Sequence, residues 1–242
     1  MPNQRERRAA CRPLFEPLEP RLLLNAAVEP AALEDFASLA LPAPPSGFVS
    51  QDWSPVLSDG VVSKVITHVP EYFWYRGCAP TSAGMVLGYW DGKAYPNYFV
   101  GDASTQTDNV NAGIASAGHD TDYRSTPDRT PPPPYHTDDS IADFMGTSRD
   151  PLKYGWTSAD KVDDGFIGYS DYRGYSVAHS WTEYYGSGFE WSDLTGEILA
   201  GRPMVFGVDS DADGRADHAV PVIGYRTDPS NQYACYLSLI HI

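Results

Sequence analysis

Gly77-Cys78-Ala79-Pro80-Thr81-Ser82-Ala83-Gly84-Met85-Val86-Leu87-Gly88-Tyr89-Trp90 is the stretch on which the reading of this chain turns. Ala79, Ala83, Val86, Leu87 and Trp90 recur at helical spacing, Pro80 occupies a first-turn position that tolerates proline, and Thr81 and Ser82 lie near the same end. A buried helix is therefore expected to open at Cys78. A thiol there meets free N–H groups and the positive end of the helix dipole, and both favour thiolate. A lone cysteine is otherwise a small buried hydrophobe, so position rather than residue type singles out Cys78. Cys11 and Cys235 have no such setting. The three cysteines contain no CxxC pair, hence no zinc or redox signature, and neither a metal nor a cofactor is expected.

A thiol nucleophile needs a base. Among six histidines His218 has the most suggestive surroundings, because it follows Asp217 and leads the strand-like run Ala219-Val220-Pro221-Val222-Ile223-Gly224-Tyr225, a rigid support for an imidazole. The separation 218 − 78 = 140 falls in the roughly 130–150 residues that part Cys from His in papain-type enzymes.

Around these two motifs the chain has a mixed α and β pattern. Val61–Thr67 is β-branched and reads as an early strand. Short helices are expected at Asp138–Met145 and at Trp191–Ala200, the latter ended by Gly201. Strands are expected at Met204–Val208, His218–Tyr225 and Gln232–Tyr236. Gly101–His136, polar and carrying Pro131 to Pro134, reads as a long surface insertion or lid. The composition, 42% hydrophobic in 242 residues, supports one large domain or two small ones. A net charge of -15 would repel a phosphate backbone, which argues against nucleic acid as a partner. No run of about 18 apolar residues exists to span a bilayer.

The Cys78 stretch, taken with Asp217-His218-Ala219-Val220-Pro221-Val222-Ile223-Gly224-Tyr225, resembles the papain-fold relatives of the bacteriocin-processing peptidases, family thirty-nine of the cysteine peptidases. The resemblance runs from about Val61 to the C-terminus. It implies an α+β, papain-like fold in which a helix carrying the nucleophile packs on an antiparallel β-sheet. It also implies a monomeric peptidase acting on peptides or proteins, with Cys78 as nucleophile, His218 as base and a third Asp or Asn. Tyr72 stands where the family usually has an oxyanion-binding Gln. A hairpin register with Tyr225 opposite Gln232 puts the third residue near 237–239, which are Leu237, Ser238 and Leu239. No Asp, Asn or Glu follows Asn231, so the C-terminal end is expected to be truncated or replaced, with Asp228 as a fallback.

Residues 1–27 carry Arg5, Arg7, Arg8 and Arg12 ahead of Leu18-Glu19-Pro20-Arg21-Leu22-Leu23-Leu24, which resembles the LEPR-x-LL leader of planctomycete-type surface proteins and implies an extracytoplasmic location. A disordered basic tail would share that composition. Residues 28–60, rich in Pro and Ala, read as a linker, which leaves 61–242 as the peptidase domain. Asp209-Ser210-Asp211-Ala212-Asp213-Gly214 matches half of a calcium loop, but Val220 falls where the bidentate Glu belongs, so an acidic turn is the commoner reading. His136, ahead of Asp138 and Asp139, and His179 are read as structural. The function expected is thiol-dependent hydrolysis of peptide or isopeptide bonds. The alternatives are an inactive papain-fold binding module at the cell surface and transglutaminase-like acyl transfer on the same Cys/His pair.

Overall fold

The computed structural model describes residues 61–125, 127–130, 132–177, 179–185, 188–209, 216–227, 229 and 232–237, with three earlier stretches at 16–17, 36–40 and 56–58. In chain order the elements are β1 (Glu16–Pro17), β2 (Phe36–Ala40), β3 (Val56–Ser58), β4 (Val61–Val65), α1 (Cys78–Asp91), α2 (Asp108–Ile114), α3 (Ala117–Asp122), α4 (Ile141–Phe144), α5 (Val162–Tyr172), β5 (His179–Tyr185), β6 (Gly188–Phe189), α6 (Trp191–Leu199), β7 (Met204–Val208), β8 (His218–Thr227) and β9 (Gln232–Tyr236).

The ten-residue β8 organises the main sheet. Residues Ala219 to Tyr225 are buried, as a near-continuous apolar run in a central strand should be. Its first half pairs antiparallel with β7, from Val208 opposite His218 to Met204 opposite Val222. Its second half pairs antiparallel with β4, from Val65 opposite Gly224 to Val62 opposite Thr227. β9 lies along the other edge, with Thr227 opposite Gln232 and a bulge between Val222 and Gly224. A second, three-stranded sheet has the order β2-β5-β6. α1 packs on β8 and β7, so the architecture is α+β and papain-like, with the cysteine-bearing helix on an antiparallel sheet as expected.

Local chemistry explains the element ends. β7 and β9 have the expected bounds, while β8 runs two residues past Tyr225 because its ladders with β4 and β9 continue to Thr227. The helix expected at Asp138–Met145 shortens to α4, since Ser140 is its N-cap and donates its backbone N–H to Asp143 Oδ2 at 2.9 Å. α6 starts in the same way, with the Glu190 N–H on Asp193 Oδ2 at 2.7 Å.

α1 is the buried helix expected, and Ala79 through Trp90 are buried on every face because α2, α4, α5, β7 and β8 surround it. The segment 101–136 is largely exposed, as a surface insertion should be, but it also carries helices with buried residues. Thr107 and Ser116 cap α2 and α3, accepting from the Val110 and His119 N–H groups, and Val110 and Ile114 are wholly buried. Ile114 lies against Gly84 of α1, where an added Cβ would stand 2.8 Å from Ile114 Cγ1. Of residues 1–27 only β1, and of 28–60 only β2 and β3, belong to the described residues.

Two long-range contacts hold α1 in place. Ile114 closes its outer side, and Ser82 Oγ, wholly buried, donates to the Ala219 carbonyl of β8 at 2.9 Å. Ile114→Ala should cost about 2–5 kcal/mol through the cavity it leaves, read as a lower urea midpoint at unchanged slope. Ser82→Ala should cost about 1–3 kcal/mol, because the buried Ala219 carbonyl loses this donor; an unchanged midpoint would show that the bond contributes nothing.

Candidate active site

The chain enters α1 through a tightly held turn. Thr81 Oγ1 donates to the Gly77 carbonyl at 2.6 Å and accepts from the Tyr75 N–H at 3.0 Å, while the Thr81 N–H reaches the Gly77 carbonyl at 3.2 Å. One buried threonine thus ties the residues before Cys78 to the first helical turn. Gly77 is required by close approach: a Cβ there would lie 2.8 Å from Thr147 Cγ2 and 2.9 Å from the Gly155 carbonyl oxygen. Pro80 contributes no N–H at a position where it would have no intrahelical partner.

Cys78 is the first residue of α1 and half-buried. Burial pushes its thiol above the ordinary range, and the nearby Asp217 carboxylate acts in the same direction. Hydrogen bonds from the backbone N–H groups of Ala219, Ala79 and Cys78 itself oppose this without overcoming it. The expectation that the helix start alone would favour thiolate is therefore reversed, because desolvation outweighs a few oriented N–H groups. The Ala219 contact also fixes the site's geometry. Ala219 follows His218, so the half-buried histidine is one residue, about 3.8 Å of backbone, from the group touching the sulfur. Ser82, one helical turn on from Cys78, holds the Ala219 carbonyl. The sequence separation of 140 residues is thus closed by two contacts to one strand residue.

Tyr72 has a different place from the one its spacing suggested. Its ring is buried against α1, its hydroxyl donates to the Ala103 carbonyl at 2.5 Å, and that hydroxyl lies beside Gly88. Gly88 is ten residues along the helix from Cys78, about 15 Å of rise, so Tyr72 supports the helix and is no oxyanion donor. Burial raises its phenol well above the usual range and keeps it a donor. The N–H groups of Cys78 and Ala79, already directed at the sulfur, are the donors at hand.

The hairpin register also differs from the expected one. Thr227, not Tyr225, faces Gln232, and past the bulge Tyr236 faces Val222. The Leu237 N–H bonds to the Pro221 carbonyl at 3.1 Å, and Leu237 is buried. Leu237 is therefore bonded three residues along β8 from His218. Ser238 and Leu239, Asp228, the calcium half-loop at Asp211 and Asp213, and the His179 side chain lie outside the described residues. His136 belongs to a separate cluster with Asp122 and Asp143.

The loop 147–157 was missed in the sequence. Its backbone closes on itself through Ser148 N–H to Trp156 carbonyl and Gly155 N–H to Ser148 carbonyl, both at 2.8 Å, and through Thr147 Oγ1 to Thr157 Oγ1, also 2.8 Å. It presses on Gly77, and Trp74 packs on Gly155 with its ring 5.5 Å from that of Tyr154. A half-exposed aromatic surface therefore adjoins the turn that leads into Cys78. Its signal was Gly155-Trp156 between two threonines, too short to assign without the fold.

Among the described residues no helix is long and apolar enough to cross a membrane. No curated protein and no solved structure matches the chain. The Peptidase_C39 like family matches it over residues 66–237, more than two-thirds of its length, from the residue after β4 to the end of the β8–β9 hairpin. A match of that extent, on a helix and a strand that the fold brings together at Ala219, carries a conclusion at the level of the family: the chain belongs to the Peptidase_C39 like family of papain-like peptidases.

Proposed function

We propose that the protein hydrolyses peptide or isopeptide bonds with Cys78 as nucleophile and His218 as acid and base, and that it does so outside the cytoplasm, as the arginine-rich leader pattern suggests. The observation that carries this reading is the Ala219 N–H on the Cys78 sulfur, since it sets the histidine's strand against the helix start. Because burial holds the resting thiol neutral, a preformed thiolate–imidazolium pair is not the starting state. His218 instead takes the thiol proton as Cys78 attacks the substrate carbonyl. The C–S bond forms and the carbonyl electrons move to oxygen, where the Cys78 and Ala79 N–H groups face the developing charge. The imidazolium then protonates the leaving amine as the C–N bond breaks. Water, deprotonated by the same imidazole, hydrolyses the thioester. The Trp74 and Tyr154 surface offers an apolar wall for substrate side chains.

Turnover of a mixed-peptide substrate should be lost in Cys78→Ala, and kcat/KM should fall about 10²–10⁴-fold in His218→Ala with the circular dichroism spectrum unchanged. A product carrying an added amine, in place of the free acid, would assign acyl transfer instead.

Iodoacetamide labelling reads the thiol directly. Cys78 should react faster than Cys235, which is wholly buried, and the Cys78 rate should climb with pH to an inflection above about 8.5, the free-thiol value. His218→Ala should reduce the difference between the two cysteines at neutral pH. Equal slow labelling of both in the wild type, with no turnover, would leave a binding module and overturn the proposal.

A further inference from the structure

We propose that His136, Asp139 and Asp143, between α3 and α4, form a binding site for one divalent transition-metal ion of the zinc class. His136 Nε2 and one carboxylate oxygen from each aspartate lie within 4.8 Å of one another. Nε2 is 3.1 Å from Asp143 Oδ1 and 3.9 Å from Asp139 Oδ1. Donors around a tetrahedral ion with bonds of about 2.0–2.2 Å stand about 3.3–3.6 Å apart, so the three converge on a volume of that size.

Two of the three donors, His136 Nε2 and Asp139 Oδ1, are buried at the atom level and make no well-formed hydrogen bond, as do His119 Nε2 and Arg129 Nε nearby. Nε2 faces the Asp143 carboxylate at 3.1 Å, so a cation held between the ring and the two carboxylates would satisfy both donors.

The surroundings hold the donors in orientation. His136 Nδ1 lies 2.6 Å from Asp122 Oδ2, which also accepts the His136 backbone N–H at 3.1 Å. A carboxylate on one ring nitrogen fixes the tautomer that presents the other as a lone pair, the arrangement common behind metal-bound histidines. The ring lies flat on Gly118, where a Cβ would come within 2.5 Å of its Cγ and Cδ2. Asp143 is wholly buried. Its Oδ2 accepts the N–H groups of Asp139 and Ser140 and the Ser140 hydroxyl, at 3.1, 2.9 and 2.7 Å. Its Oδ1 is left toward His136, with the His119 Nδ1 beside it at 2.9 Å.

The donor chemistry selects the ion. One imidazole and two carboxylates suit zinc or manganese, whereas calcium takes six to eight oxygens and magnesium keeps its waters. Arg129 is 2.7 Å from Asp138, so it is directed to a carboxylate outside the donor set. The site staples α3 to α4 and is independent of the reaction at Cys78. Spacing could not show it, because Asp139 and Asp143 share a helix start while His136 joins them only through the turn before it. The rival occupant is a proton, giving an imidazolium between Asp122 and Asp143.

The test is calorimetric titration of the chelator-treated chain with zinc chloride near pH 7.5, in wild type and in Cys78→Ala, which removes the half-buried thiol as a competing ligand. One zinc per chain should bind in both, raise the melting temperature, and resist millimolar calcium. Asp139→Asn, at a side chain 44% exposed and safe for folding, should weaken zinc at least about tenfold, and Asp122→Asn about 10–100-fold. Gly118→Ala, which displaces the ring, should do the same with the circular dichroism spectrum retained. No saturable zinc binding, or binding that Asp139→Asn leaves unchanged, would overturn the metal site and assign the cluster to the protonated histidine.

Discussion

The structure depends on one strand residue serving one helix start. The Ala219 N–H points at the Cys78 sulfur and its carbonyl accepts from Ser82, so both backbone polar groups of a wholly buried residue are used by α1. Among the described residues the pairing of β9 with β8 ends at Val222, followed by the Leu237 bond to Pro221. Buried backbone groups must find partners, and here the helix supplies them. That requirement docks the helix, and the docking brings the start of α1 to the residue after His218, across 140 residues of sequence.

The same docking sets the electrostatics of the thiol. A helix N-terminus exposed to water would favour thiolate, but α1 is enclosed on every side, and desolvation acts against charge more strongly than the N–H groups act for it. The thiol is therefore held toward its neutral form. Gly77 and Thr81 belong to this arrangement: the glycine lets the 147–157 loop press against the turn, and the threonine prevents the turn from unwinding away from it.

The segment 108–143 shows how polar sequence can be structural. Its caps at Thr107, Ser116 and Ser140 satisfy helix starts, its apolar residues Val110 and Ile114 close over α1, and His119, Asp122 and Asp143 are buried in a shared network. Composition alone, with four consecutive prolines and many polar residues, reads as a surface insertion because it does not reveal which polar groups will satisfy one another.

The sequence by itself determined the helix that opens at Cys78, the strands β4 and β7 to β9, and the pair of candidate residues. Apolar periodicity after Cys78, β-branched runs in β4 and β8, and the Asp217-His218 start of a strand are local signals, and the family match covers all of them but β4. Tertiary structure decided the rest. Register is one such matter: the β8–β9 turn is two residues tighter than its composition suggested, which places Leu237 beside Pro221 instead of in the stretch expected near the histidine. The role of Tyr72 is another, since spacing along the chain says nothing about a hydroxyl directed ten residues down the helix to Ala103. The thiol's charge is the third. Periodicity places Cys78 at a helix start, but how much water reaches a helix start depends on what folds over it, and that is settled by contacts distant in sequence.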